Sequence, residues 1–279
     1  MTVAIVTDSA AAIPADLVAR DEITVVPMWI HVGGTTMAEG VRPLGELLGD
    51  ESVTTSAPTP GDFEDSIRGR LDAGAEGAVV LTITSAMSAS HRSASVAARD
   101  IGDRVEVVDT TTAAGGEALV VLAAAARARR GAPIAEVAAA ARDVATRVRL
   151  LGMVPHLEHL VRSGRVPGIA GRAGRALGIN PLFELRDGRA KPLRPAIGSE
   201  AAVDRMLGRF RRSRVPGGRA HVSALHALAP DGAAALLRRV EDETGADLAE
   251  AFVSEFGPVM VVHTGPGLLG LAWWWEERA

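Results

Sequence analysis

Two clusters of hydroxyl side chains carry the clearest chemical signal in the chain: Thr54-Thr55-Ser56-Ala57-Pro58-Thr59-Pro60 and Thr84-Ser85-Ala86-Met87-Ser88-Ala89-Ser90. Each stands just ahead of a run with helical patterning. Hydroxyls there either accept from the free N–H groups of the first helical turn or leave those groups aimed at an anion. Two uncharged cradles in one α/β unit predict recognition of a carboxylate or phosphate rather than bond breaking. His263-Thr264-Gly265-Pro266-Gly267 is a third candidate. Its His follows the apolar run Val259-Met260-Val261-Val262, read as a strand, and its glycines let backbone approach a ligand. A satisfied His capping a turn explains the same residues equally well. Asp8-Ser9 follows the first apolar run and could supply a nucleophile or a metal ligand. A helix cap is the simpler role, because no second acidic cluster has ligand spacing. Arg165 in Ser163-Gly164-Arg165 can neutralise an anion, although a lone loop Arg is more often solvated.

These residues need elements to hold them. Residues 3–7, 23–26, 77–83 and 105–108 read as strands, and 77–83 is continuously apolar, as a strand covered on both faces should be. Helical patterns fall between them, after Pro14 and at 62–71, 90–100, 118–130 and 134–148. Strands alternating with helices imply a parallel sheet flanked on both sides. Three strands end in polar groups (Thr7-Asp8-Ser9, Thr84-Ser85 and Asp109-Thr110) and should share the carboxyl edge, where open parallel sheets bind ligands. The second half reads as a helix at 154–161, a Gly-rich stretch at 168–178, a hairpin turning at Asp187-Gly188, then helix 200–210, strand 220–225, helix 231–242 and two further strands. Asp-Gly is a strong hairpin signal. The expected fold is α/β with two domains: an α/β/α parallel-sheet domain over 1–149, and a mixed-sheet α/β domain over 150–279 with helices on one face.

Composition narrows the function. The chain has 279 residues, 47% of them apolar but only 3% aromatic, so the core must rest on Ala, Val, Leu and Ile. A formal charge of −4 argues against general nucleic-acid binding. Arg205, Arg209, Arg211, Arg212, Arg214 and Arg219 form a local basic stretch. It reads first as a solvated face, and second as a docking surface or a point of transient contact with anionic membrane. The absence of Cys excludes disulfides, thiolate metal sites and a Cys nucleophile. No zinc-protease, nucleophile-elbow or P-loop pattern occurs. The glycines of Gly168-Ile169-Ala170-Gly171-Arg172-Ala173-Gly174 follow no expected strand and are a weak nucleotide signal. Residues 256–275 lack Asp, Glu, Lys and Arg over a membrane-spanning length, but Pro258, Pro266 and several glycines make a buried strand, loop and strand the better reading. The first residues carry no basic leader, so a cytoplasmic protein is expected.

The motifs in order resemble the DegV family of bacterial lipid-binding proteins: Thr7-Asp8-Ser9 with Pro14, Thr55-Ser56-Ala57-Pro58, Ile83-Thr84-Ser85-Ala86-Met87-Ser88, Leu157-Glu158-His159-Leu160 through Gly164-Arg165-Val166, Asn180-Pro181 with Asp187-Gly188, and His263-Thr264-Gly265-Pro266-Gly267. Each alone is weak, but the ordered set spans nearly the whole chain. The resemblance implies a palmitate-like long-chain fatty acid in a tunnel between helices and sheet of the first domain, with its carboxylate near the domain junction. It implies carboxylate donors at Thr55, Ser88, Ala89, Ser90 and Ser9, and a head-group or phosphoryl region at His263, Thr264, Gly265 and Arg165. It also implies a non-catalytic subunit, without cofactor or metal, that presents the carboxylate to a dihydroxyacetone-kinase-like fatty acid kinase subunit for acyl-phosphate formation. This sequence departs from the family pattern at Ser88-Ala89-Ser90-His91, at Ser163-Gly164, and at Ile197-Gly198, where an Arg-Thr pair that helps dock the kinase is usual. A small phosphotransferase or hydrolase using Asp8, Ser9 and His263 is the alternative, followed by a regulatory module working through the basic stretch.

Overall fold

The computed structural model describes residues 2–47, 53–165 and 179–277, so the Gly-rich stretch at 168–174 lies outside the described residues. The first half alternates strands and helices: β1 (Val3–Asp8), α1 (Ala15–Arg20), β2 (Thr24–Val26), β3 (Trp29–Val32), β4 (Thr35–Ala38), α2 (Leu44–Leu47), β5 (Thr54–Ser56), α3 (Pro60–Asp72), β6 (Gly77–Thr82), α4 (Ser90–Ile101), β7 (Val105–Asp109), α5 (Ala114–Arg129) and α6 (Ile134–Arg147). Four of these strands form a parallel sheet in the order β2-β1-β6-β7. All six residues of β1 and of β6 are buried, as their unbroken apolar runs require. Parallel pairing sets Thr7 opposite Leu81 and Thr82 opposite Asp109, so the three polar strand ends meet on one edge. Asp8 there accepts from the Ile83 N–H at 3.2 Å, and Asp109 accepts from the Ser85 N–H at 3.1 Å.

The second half contains β8 (Arg149–Met153), α7 (Glu158–Ser163), β9 (Ile179–Asn180), β10 (Leu182–Arg186), β11 (Arg189–Pro192), β12 (Ala196–Ile197), α8 (Ser199–Arg212), β13 (Arg219–His226), α9 (Pro230–Thr244), β14 (Leu248–Glu255), α10 (Pro258–Thr264) and β15 (Leu269–Glu276). Six strands make one mixed sheet, β11-β10-β8-β15-β13-β14, in which only β13 and β14 run parallel. Its residues alternate between two cores, as the two-residue period of a strand dictates. Leu151, Leu271, Trp273 and Trp275 pack with Met206 and Phe210 of α8 and with Leu236 and Val240 of α9. Leu150, Leu225, Ala272 and Trp274 face the opposite way, into a core shared with α5.

That second face corrects the expectation of helices on one side only. α5 lies between the two sheets and is buried along most of its length, including Leu119, Val120, Val121 and Leu122. A helix apolar all round demands such a place. Its first turn presses close to its neighbours. A Cβ on Gly115 would lie 2.3 Å from Ser223 Oγ, and one on Gly116 would lie 2.4 Å from Thr112 Oγ1.

Other differences are local. Residues 154–161 are not one helix: the chain leaves β8 at Met153, and α7 starts only at Glu158. The run Val259-Met260-Val261-Val262 is helical, not a strand, because Pro258 occupies the first helical turn and four apolar residues do not reveal their period. Thr54, Thr55 and Ser56 do not cap a helix. They form β5, which pairs with β3 in a small antiparallel sheet, and the cap of α3 is Thr59, in a reciprocal box with Asp62. The hairpin at Asp187-Gly188 is as expected, with φ of +53° and +74° suiting a two-residue turn of the type that continues strand twist. Its tip docks on the carboxyl edge of the parallel sheet: the Gly188 N–H donates to the Thr111 carbonyl at 2.9 Å. A Cβ at Gly188 would lie 2.6 Å from Thr84 Oγ1.

Candidate functional site

The docked hairpin, the parallel-sheet edge and α10 enclose a cavity of about 650 Å³, a size typical of small-molecule sites. Its body is apolar. Ile83 and Met87 come from the segment after β6, Ala113 and Ala114 from the start of α5, and Leu150, Phe183, Leu185 and Leu225 from the mixed sheet. Val259 and Met260 of α10 and Leu160 of α7 complete it. The cavity therefore draws on both halves of the chain, rather than lying between helices and sheet of the first half alone.

One part of the wall is polar. Thr55 on β5, Ser88 and Ala89 ahead of α4, Arg165 after α7, and His263 and Thr264 at the end of α10 all border the cavity. Thr55 Oγ1 and His263 Nε2 are 2.6 Å apart. Burial, and then the charge of Arg165, depress the His263 pKa to about 4, so at neutral pH the ring is uncharged and forms a neutral pair with Thr55. A smaller hollow of about 190 Å³ adjoins this wall and adds His159 and Arg162 to Arg165 and His263. The polar wall thus combines neutral donors inside with guanidinium groups at its rim.

Three other candidate residues stand elsewhere. Ser9 donates to the Glu39 carboxylate and accepts from the Met28 N–H at 3.0 Å, and it borders a separate hollow with Asp8, Glu39 and Glu255. Ser90 is fully buried beneath the wall, 3.0 Å from Ser88 Oγ. Gly265 packs against the His159 ring instead of lining the cavity. Thr264 faces the cavity, but its hydroxyl donates to the Met260 carbonyl at 2.9 Å. Asp8, Ser9 and His263 therefore do not converge on one pocket, which removes the geometry a phosphotransferase or hydrolase would need. Among the described residues no group of three or more His, Asp or Glu is placed to hold a metal ion, and no helix is long and apolar enough to cross a membrane.

A family model described as an uncharacterised protein of the DegV family matches residues 2–276. The chain belongs to the DegV family. A DegV domain-containing protein of Streptomyces coelicolor is 37% identical over 274 residues, covering 96% of this chain and 97% of that one. A Thermotoga maritima protein named fatty acid-binding protein is 25% identical over 283 residues, covering 97% and 96%. A solved Thermus thermophilus DegV family protein, described for its fatty acid binding, superposes with a TM-score of 0.90 at 30% identity over 98% of this chain and 99% of that one.

Within this DegV frame, several polar residues were not singled out by the sequence. Glu39 accepts from the Val259 N–H at 2.7 Å and so anchors the start of α10, the helix that carries His263. Burial raises its pKa. Glu117 is fully buried in α5 with its pKa pushed well up by burial and by the Asp8 charge, and Thr7 Oγ1 donates to it at 3.3 Å. An acid inside the otherwise apolar run of α5 was the available signal. The basic stretch is mostly engaged with the fold: Arg209 pairs with Glu184 at 3.3 Å, Arg211 with Glu243 at 3.3 Å, Arg214 with Asp247, and Arg205 donates to the Arg194 and Pro195 carbonyls.

Proposed function

We propose that the protein binds a long-chain fatty acid in this cavity, with the carboxylate at the polar wall. The supporting observation is one largely apolar cavity of about 650 Å³ bordered by Thr55, Ser88 and His263. A carboxylate there would receive hydrogen bonds from fixed hydroxyls and from N–H groups at the start of α4, which lower the cost of placing it beside apolar surface. The tail supplies most of the affinity. At about 0.8 kcal/mol per buried CH₂, a palmitate-length chain contributes on the order of 10 kcal/mol before ordering costs. The naming of DegV relatives as fatty-acid-binding proteins agrees with this reading.

The cationic hollow beside the wall supports a further step. The bound carboxylate faces outward there, within reach of a separate dihydroxyacetone-kinase-like subunit that would supply ATP. Arg165 would balance the charge that develops on the transferring phosphoryl group. The chain itself would be the non-catalytic, cytoplasmic binding partner, with 1–149 and 150–279 as its two domains.

The test is mass spectrometry of organic extracts from native protein, together with palmitate titration of stripped protein. Co-purified fatty acid and saturable binding without ATPase activity are expected. Empty protein that also refuses palmitate would overturn the reading. His263→Ala should reduce acyl-phosphate formation by an added kinase more than palmitate retention. Equal loss of both would make His263 a structural residue.

A further inference from the structure

The cavity carries more positive charge on its lining than a carboxylate needs. Among the described residues that border it are Arg92 and Arg165, with His91 and His263, and no Asp or Glu. The adjoining hollow adds Arg162 and again no acid. Arg162 is held by the His159 ring at 3.1 Å, and Arg165 donates to the Ser163 carbonyl at 2.8 Å, so neither meets a carboxylate. Arg92 is exposed, and among the described residues its side chain has no ion pair or hydrogen bond.

Arg92 also stands where local physics disfavours it. It lies in the first turn of α4, whose cap residue Ala89 makes no side-chain hydrogen bond and whose first turn holds no acid. The free N–H groups of that turn already carry partial positive charge, so a cation there is unfavourable. Nothing in the fold offsets this. Arg92 follows Ser88 by four residues, close to one helical turn, and both border the cavity.

Charge balance then bears on the ligand. His263 is uncharged at neutral pH, so the guanidinium groups supply the fixed positive charge. A carboxylate brings one negative charge. A phosphate monoester brings close to two, with three strongly accepting oxygens, and guanidinium groups match its geometry. We propose that Arg92 is a specificity-determining residue that, together with Arg165, fits this cavity to a single long chain ending in a phosphate in preference to one ending in a carboxylate. The inference rests on the fatty-acid reading above and names the head group that the same site holds most tightly. The phosphate can sit directly on the chain, as in an acyl phosphate, or on a glycerol, as in a monoacylglycerol phosphate. Binding makes and breaks no covalent bond.

The experiment is titration calorimetry on the stripped full-length protein at pH 8, with palmitate, hexadecyl phosphate and 1-palmitoylglycerol 3-phosphate, each below its micellar range. Wild type should bind at least one of the phosphates about tenfold more tightly than palmitate. Coulomb energy scales with ligand charge, so Arg92→Gln should weaken a dianion by the square of the factor it costs a monoanion, about tenfold for hexadecyl phosphate against about threefold for palmitate. Arg99→Gln removes the same charge from the last turn of the same helix, outside the cavity lining, and should leave the wild-type preference in place. Tight hexadecyl phosphate with 1-palmitoylglycerol 3-phosphate excluded sets the phosphate directly on the chain; tight 1-palmitoylglycerol 3-phosphate extends the class to glycerol phosphates. Palmitate bound by wild type as tightly as both phosphates, or equal factors lost on every ligand in Arg92→Gln, overturns the inference and leaves the fatty-acid reading intact. A phosphate bound without any binding of palmitate overturns the fatty-acid reading and keeps the head-group assignment. Failure of wild type to bind all three overturns both.

Discussion

The two sides of the polar wall are built from the same kind of hydroxyl but supported in opposite ways. Thr55 sits on a strand and pairs with a histidine whose pKa is depressed to about 4. Ser88 sits ahead of a helix and pairs with the buried Ser90 hydroxyl, and at the end of β1 burial raises the Asp8 pKa to about 6. Burial drives both titrating groups toward their neutral forms. The lesson is that burial disfavours charge on His263 at the cavity wall and on Asp8 in the neighbouring hollow, while the guanidinium of Arg165 stays at the rim.

The largest expected effect separates the two sides through stability. Asp8 keeps its proton to about pH 6 when folded, against an ordinary value of 3.8, so the folded state binds more protons between these limits and stability falls as pH rises. His263 titrates near 4 when folded, against 6.5, so in nearly the same window the unfolded state binds more protons and stability rises with pH. Each contribution is on the order of 3 kcal/mol, and they oppose each other. Urea denaturation across pH 4 to 7 should show the His263→Asn penalty growing toward pH 6.5. Asp8→Asn should instead gain on the wild type toward pH 6. Parallel curves for both variants would erase the contrast.

A smaller effect concerns affinity. Thr55→Ala and Ser88→Ala should each weaken palmitate binding by about 1–3 kcal/mol, the cost of leaving a buried acceptor short of a donor. Because the residues stand on separate supports, the double variant should lose about the sum. A loss well short of that in calorimetry would mean that both serve a single ligand oxygen. The smallest effect is a control within the first hydroxyl cluster. Thr59→Ala removes the cap of α3 and should cost about 1 kcal/mol of stability by thermal denaturation, with palmitate affinity unchanged. Thr55→Ala should do the reverse.

The alternation of apolar strands and amphipathic helices made the parallel sheet legible from residues 3–8, 77–82 and 105–109 alone, and with it the shared polar edge. Thr55 and Ser88 were legible as candidate donors because hydroxyl clusters stand out beside apolar runs, and both border the cavity. Their supports were not. β5 is three residues long, too short to show a period, and its pairing with β3 is a tertiary fact. β8 was left unassigned between the helices read at 134–148 and 154–161, since an apolar run as short as 149–153 fits either structure. The hydrogen bond from the Ile83 N–H to Asp8 exists only because parallel pairing of β1 with β6 brings their carboxyl ends together, and no local pattern announces that. Ser9 was misplaced for the same reason: its partner, Glu39, follows a hairpin whose fold the sequence did not disclose.

The Gly115-Gly116 step has a consequence for selectivity. Because α5 can seat so close to the mixed sheet there, the calibre of the bore is set by a gap between layers as much as by the residues that line it. Adding a single methyl at Gly115, where it would meet Ser223 and Leu225 of β13, would wedge the layers apart, widening the lumen without altering its lining. Preference among guests of different thickness could thus be retuned from a seam that the guest itself never touches.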